Sequence, residues 1–456
     1  MRKKTIQLLS IFFCALLFGQ NTTGAQKFLD ALFNKKYTEA HGFFADEVKG
    51  QISEQILSMA TTQIAAGKGN YLKSTFVKTE NIEDYERIIM KSVFENGSQN
   101  IMVAFNSEHK IVGFFNAPNE TAAVRPQNPT APFPYRDEGV TFVNAVEGNK
   151  LTGTLTVPDN FAKKSPAVIL ISGSGAQNRD SELLGHKPFL VIADHLARNG
   201  IASLRIDDRG TGKSEKGKEG ATSEDFAGDI SSAVNFLKQK GFSNIGLIGH
   251  SEGGLIAPMV ASKNKEVKFL VLLAAPGVSG KKLLLKQSED IGKASGLSAE
   301  TLKNNAELNN KIYSFVENYK GNSLQKDIEN LIRKNLKDLP AEQIDAVAAQ
   351  QSALVAMPWF TYFLKADPAV YLRRTKIPVL ALNGSKDLQV SAKENLSAIK
   401  QSLNKAGNKN FETHEIPDLN HLFQHAKTGS PAEYETIEET FAPAVLQRIS
   451  AWILKR

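Results

Sequence analysis

The sequence predicts an α/β fold, a mostly parallel sheet with helices on both faces and a helical cap, preceded by a small α+β domain. Three observations predict it. From residue 135 onward, short and almost wholly apolar runs alternate with amphipathic helical stretches, the pattern of strands buried on both sides. One of these runs ends in Gly249-His250-Ser251-Glu252-Gly253 and passes straight into a second helical stretch. Before residue 118 the order is different: helical stretches come first and β-rich runs follow, which is α+β organisation.

Taken in order, residues 1–25 read as a secretory signal peptide. Arg2-Lys3-Lys4 is a basic start, Ile6 to Phe18 an apolar middle, and Thr23-Gly24-Ala25 a small-residue exit. Export to a bacterial periplasm or exterior is expected, with no membrane span in the mature chain; a retained anchor helix is the alternative. Cys14 is the sole cysteine. Bulky Phe13 before it speaks against lipidation, and the remainder of the chain has no disulfide or thiolate chemistry.

Residues 26–117 form the first unit. Phe28, Leu29, Leu32 and Phe33 mark one face of a helix, and a second helix is expected near 52–66. Strands are expected at 75–77, 85–94, 100–105 and 110–115, with Asn96-Gly97 as a hairpin turn. The unit is similar to small cystatin-like domains of unknown function that precede some bacterial hydrolases, and it carries no catalytic constellation. Pro118, Pro126, Pro129, Pro132 and Pro134 make 118–134 a semi-extended linker.

The second unit spans 135–456. Strands are expected at 141–146, 151–157, 167–172, 201–206, 244–249, 267–274, 377–383 and 411–416. Helices are expected at 188–198, 223–239 and 392–405, with a last one carrying Phe441, Val445, Ile449 and Trp452 on one face. An interruption at about 278–365 is helical and polar, with Leu324, Ile328, Leu331 and Ile332 on one face and Ser323 as an N-cap. Its place between the sixth and seventh strands makes it a cap. Trp359, Phe360, Tyr362 and Phe363 close the cap. They are core by the usual habit of aromatics, with an acyl-pocket wall as the alternative.

The chemistry starts at Ser251. A serine between glycines at a tight strand-to-helix turn is the nucleophile elbow of the α/β-hydrolases. Its hydroxyl needs a base within hydrogen-bond reach and a group to orient that base. In that fold the chain order is serine, acid, histidine. Asp387 follows the strand at 377–383 and His421 follows the last strand, both at carboxyl ends where an open α/β sheet gathers its site. His425 is the reserve base, and Asp418 and Glu415 are reserve acids. The backbone N–H of Glu252 and that of Ser174, with Gly175 next, are the expected oxyanion donors. The Glu252 carboxylate is expected near the mouth, where it would favour neutral or cationic substrates. Activity should fall in acid as His421 protonates.

Other chemistries fit poorly. The formal charge of +7 includes three cations at residues 2–4, and no arginine-rich run with aromatics appears, so nucleic-acid binding has no support. Arg209-Gly210-Thr211-Gly212-Lys213-Ser214 lacks the first glycine of a phosphate loop, because Asp207 stands there. It reads as a structural loop in which Asp208 and Arg209 form an ion pair. His414, His421 and His425 lack a metal-site pattern, and neither metal nor cofactor is expected. His250 is expected to point into the structure.

Five separated motifs carry a resemblance: Ile171-Ser172-Gly173-Ser174-Gly175 with Arg179-Asp180; Arg205 to Ser214; Gly249 to Gly254; Pro378 to Asp387; and Asn420-His421. Together they make residues 135–456 similar to bacterial α/β-hydrolases of the serine aminopeptidase and carboxylesterase branch. Ala176-Gln177-Asn178 departs from relatives, which usually carry proline and aspartate there. The resemblance implies a triad of Ser251, Asp387 and His421 and hydrolysis of short-chain carboxylic esters, with a small-molecule ester as substrate. Alternatives are a serine aminopeptidase or amidase, and an inactive binding protein on the same fold.

Overall fold

The structure is a computed structural model; it describes residues 21–456 apart from 51, 83–84, 118–124, 163 and 337–340. Most of the signal-peptide reading, Cys14 included, therefore lies outside the described residues. The chain divides into two compact units between Ala122 and Ala123.

In the first unit, helices α1 (21–33), α2 (Tyr37–His41), α3 (Asp46–Lys49) and α4 (Glu54–Ala65) precede strands β1 (Tyr71–Ile82), β2 (Tyr85–Phe94), β3 (Gly97–Phe105) and β4 (Ile111–Ala117). The strands form an antiparallel sheet in sequence order. Phe28, Leu29 and Leu32 of α1 pack on Ile88, Met90, Ile101 and Val103 of the sheet. Helix α1 already includes Asn21 and Ala25, both buried, ahead of the boundary expected at 25.

In the second unit the order is β5 (Tyr135–Val143), β6 (Lys150–Pro158), β7 (Ala167–Ile171), α5 (Pro188–Arg198), β8 (Ala202–Ile206), α6 (Ser223–Gln239), β9 (Ile245–His250), α7 (Gly253–Ala261) and β10 (Val267–Leu273). Helices α8 (Gly280–Ala294), α9 (Ala299–Asn318), α10 (Leu324–Asn335), α11 (Ala341–Ala356) and α12 (Pro358–Lys365) form the cap. Then come α13 (Ala369–Leu372), β11 (Val379–Gly384), α14 (Ala392–Lys405), β12 (Phe411–Ile416) and α15 (Pro443–Ile453). The sheet order is β12-β11-β10-β9-β7-β8-β6-β5. Only the β5–β6 and β6–β8 pairings are antiparallel, so the six strands from β12 to β8 point the same way.

Period-two alternation explains why the central strands are apolar throughout. Ile169, Leu204, Leu247 and Leu270 face one way, against Ala233 and Leu237 of α6, Ile256 of α7 and Leu403 of α14. Val168, Leu170, Ile248 and Val271 face the other way, against Leu196 of α5 and Ile449 and Trp452 of α15. The cap has its own small core of Ile312, Val316, Ile328, Ile332, Phe360 and Leu364.

The proline-rich segment holds to the second unit after residue 124. The Arg125 guanidinium donates to the carbonyls of Ile437 (2.7 Å), Leu184 (2.8 Å) and Glu435 (3.0 Å). Gln127 accepts from the N–H groups of Thr440 and Phe441 at 2.6 and 3.0 Å. These bonds use up backbone groups that a free linker would leave to water.

The expected Asp208–Arg209 ion pair does not form. Asp208 turns instead to Ser172 and Gln177 in the loop after β7. Arg209 turns to Asp229 of α6, with Nε and Nη2 at 2.8 and 2.9 Å from its carboxylate oxygens, and to Glu147 of the β5–β6 turn at 3.0 Å. Asp207 pairs with Arg179 at 2.5 Å, and Arg205 with Asp180. Arg209 is buried, and losing one partner of a buried pair costs about 3–5 kcal/mol because the other charge stays behind. Asp229→Ala should therefore destabilise the protein by about that amount in urea unfolding. A loss under about 1 kcal/mol would show that Glu147 alone neutralises Arg209.

Candidate active site

The elbow follows from space. At Gly249 a Cβ would lie 2.1 Å from the Gly253 carbonyl oxygen, and at Gly253 one would lie 2.3 Å from the Ile171 carbonyl oxygen. Neither position admits a side chain. Ser251 between them has φ 53°, a region L-residues enter at a cost in strain. Its N–H donates to the Leu273 carbonyl at 2.9 Å, which fastens the turn to the neighbouring strand. Glu252 then caps α7 at its N-terminus.

Ser251, His421 and Ser174 line one cavity of about 430 Å³, together with His250, Leu283, Trp359 and Phe363. Asp387 lies behind it. Its Oδ2 is 2.8 Å from His421 Nδ1, and both residues are buried. Asp387 Oδ1 accepts from the backbone N–H groups of Gln389 and Val390, each at 2.8 Å. A carboxylate so held is a fixed acceptor; it keeps the proton on Nδ1 and leaves Nε2 as the basic nitrogen. The loops bearing the two residues cross tightly at Gly384, where a Cβ would lie 2.2 Å from the Leu419 carbonyl oxygen.

The reserve candidates lie elsewhere. His425 is exposed and bonds Glu439 at 2.8 Å. Asp418 is exposed and pairs with Lys386 at 2.8 Å. Glu415 lies on β12. Gly175, the second choice for the oxyanion donor, follows Ser174 in the same loop with φ 91° and also lines the cavity.

Asp208 pins the start of the loop after β7. Asp208 accepts from Ser172 Oγ at 2.8 and 3.0 Å and from the Gln177 N–H at 3.0 Å, while its own N–H donates to the Gln177 carbonyl. Gln177 donates to the Ser174 carbonyl at 3.2 Å and accepts from Ser181. Burial pushes the Asp208 carboxyl up to about 7, against the bonds from Ser172 and Gln177.

Two expectations change here. The Glu252 carboxylate is not at the mouth; it is buried, accepting from Ser223 Oγ at 2.6 Å and Trp359 Nε1 at 2.9 Å. An acid next to Ser251 reads as a surface charge until the cap is folded over it. His250, expected to point inward, also reaches the cavity wall. Its Nε2 donates to the His421 carbonyl at 2.9 Å, and the two rings stand 4.8 Å apart. The cap aromatics divide: Trp359 and Phe363 line the cavity, while Phe360 belongs to the cap core. No group of metal-ligating side chains occurs among the described residues, and no described helix is long and apolar enough to cross a membrane.

Residues 187–425 match the family model described as serine aminopeptidase, S33. Residues 25–114 match a separate family described as a protein of unknown function, DUF3887. Esterase EstD of Thermotoga maritima is 26% identical over 462 residues, covering 98% of each chain. Among solved structures, the Pyrococcus furiosus esterase Pf2001 aligns with 71% of this chain and 93% of its own, at 19% identity and a TM-score of 0.43. Est1E from Butyrivibrio proteoclasticus aligns with 70% and 98%, at 17% identity and a TM-score of 0.39.

Burial, and then the neighbouring His421, lowers the His250 imidazole from 6.5 to about 4. Between those values the unfolded chain binds a proton that the native protein does not. Stability conferred by neutral His250 is therefore present above about pH 6.5 and is lost as pH falls through about 4. His250→Gln should give a shallower fall of the urea midpoint between pH 7 and pH 4 than the parent protein shows. Equal slopes would assign the acid sensitivity to other groups.

Proposed function

Because the chain belongs to the serine aminopeptidase S33 family of serine hydrolases, we propose that it is a carboxylesterase acting through Ser251, His421 and Asp387. The observation that carries this reading is the 2.8 Å contact between His421 Nδ1 and Asp387 Oδ2 behind a cavity lined by Ser251. In this mechanism His421 Nε2 takes the proton from Ser251 Oγ as the oxygen attacks the ester carbonyl. The N–H groups of Glu252 and Ser174 hold the oxyanion. The imidazolium, steadied by Asp387, returns the proton to the departing alcohol. Water, deprotonated by His421, then releases the acid from the acyl-enzyme.

The cavity favours neutral esters with short acyl chains over peptides with a free amino terminus. An aminopeptidase needs a carboxylate free to hold the substrate ammonium. Among the described lining residues the one carboxylate is Glu182, exposed at the rim and 3.8 Å from Lys187. The Glu252 carboxylate is occupied by Ser223 and Trp359. Leu283, Leu284, Trp359 and Phe363 provide an apolar wall suited to an acyl chain. The basic, apolar and small-residue order of residues 1–25 supports export, with the esterase working in the periplasm or outside the cell.

A series of p-nitrophenyl esters, assayed beside aminoacyl p-nitroanilides, tests the reading. Turnover should be greatest on short, neutral esters and negligible on the anilides. Ser251→Ala should lower kcat by about four orders of magnitude with its melting temperature retained. Faster turnover of anilides, or ester hydrolysis that survives the alanine substitution, would overturn it.

A further inference from the structure

Glu252 has a side chain that ester hydrolysis by the three residues above does not use. It is about 1% exposed, a carboxylate taken out of water beside the cavity. Such a group is costly unless hydrogen bonds replace its hydration. Its donors come from two separate parts of the fold. Ser223 Oγ, on the first residue of α6, lies 2.6 Å away. Trp359 Nε1, on cap helix α12, reaches both carboxylate oxygens, at 2.9 and 3.0 Å.

Glu252 bears on the reaction through its backbone, which supplies one oxyanion donor, and its side chain fastens that residue to Ser223 of α6. The Trp359 bond leads to the cap. The Trp359 ring stacks on Phe363 at 5.8 Å and 20° between planes, and both rings face the cavity. One carboxylate thus joins the elbow, α6 and the cap. Oxyanion donors act only when aimed at the position the charged oxygen will occupy, and small misplacements are expensive.

We propose that the Glu252 side chain is a positioning residue that ties cap helix α12 to the elbow and to the oxyanion donor on its own backbone, so that the seating of Trp359 sets the rate of acyl transfer. The proposal rests on the serine-hydrolase reading of Ser251. It makes Trp359 more than a wall: its N–H is needed even for a substrate too short to touch its ring.

The test uses Trp359→Phe, which keeps the ring and removes the N–H. Glu252→Met removes every acceptor, Glu252→Gln keeps one acceptor oxygen, and a Trp359→Phe/Glu252→Met double variant completes the set. Each is assayed for kcat and KM on p-nitrophenyl acetate and for the rate at which a p-nitrophenyl phosphonate labels Ser251. Trp359→Phe and Glu252→Met should each lower kcat and the labelling rate by about 10–100-fold with KM nearly unchanged, below the cost of deleting a donor outright. The double variant should be no worse than the poorer single, because both break one connection. Glu252→Gln should recover part of the loss. Trp359→Phe within twofold of the parent in both rates, or losses that multiply in the double variant, would overturn the proposal. Trp359→Phe decides alone if the Glu252 variants fail to fold. A parent chain that takes the phosphonate but cleaves no ester would end the carboxylesterase reading, and the labelling rates would still decide this one.

Discussion

The close approach of α7 to the ends of β7 and β9 is the constraint on which the second unit depends. Two glycines permit it, because at either position a Cβ would meet a backbone carbonyl at little over 2 Å. The approach gives Ser251 its positive φ and lifts it off the edge of the sheet. It also brings the loop after β7 alongside the elbow: a Cβ on Gly173 would lie 3.2 Å from the Ser251 Cβ. The parallel order of β9, β10, β11 and β12 then delivers the loops of Asp387 and His421 to the same edge. A sheet with strands in alternating directions would send half of these loops to the opposite end.

Charges in this unit fall into two groups. Arg179, Arg205 and Arg209 sit with Asp207, Asp180, Asp229 and Glu147, so their charges are neutralised inside the fold. These pairs brace the segment that follows β8. Asp208, Glu252 and His250 are different. Burial moves all three away from their usual titration ranges, and the bonds on them come from hydroxyl, indole and backbone groups. All three border the candidate site. Displaced titration next to a cavity is a recurrent mark of functional sites. Here each group has a local physical job: Asp208 holds the loop after β7, Glu252 meets the cap, and His250 braces the backbone of His421.

The cap is a folded layer with a small core of its own, and one of its helices serves two purposes. Phe360 and Leu364 of α12 face the cap core, while Trp359 and Phe363 face the cavity. The helical period allows this, since residues three or four apart share a face and neighbours do not. A single short helix is thus both structural and part of the pocket wall.

Much of the second unit was legible because its signals are local. The apolar runs of β7 to β11, the helical periods of α5, α6 and α14, and the glycine-serine-glycine turn are each properties of a few adjacent residues. Chain order also put Asp387 and His421 at strand ends. Longer-range relations were not legible. Arg209 beside Asp208 reads as an ion pair in the sequence, yet Asp208 bonds the loop after β7 while Arg209 bonds Asp229 and Glu147. Glu252 reads as a surface acid, yet a tryptophan more than a hundred residues later covers it. The sequence by itself determined which segments become strands and helices and which turn holds a strained serine, since steric and hydrophobic preferences act over a few residues. Only the tertiary structure decided which charges are neutralised, which aromatics line the cavity and what the Glu252 carboxylate touches, because each depends on packing between segments that the chain keeps far apart.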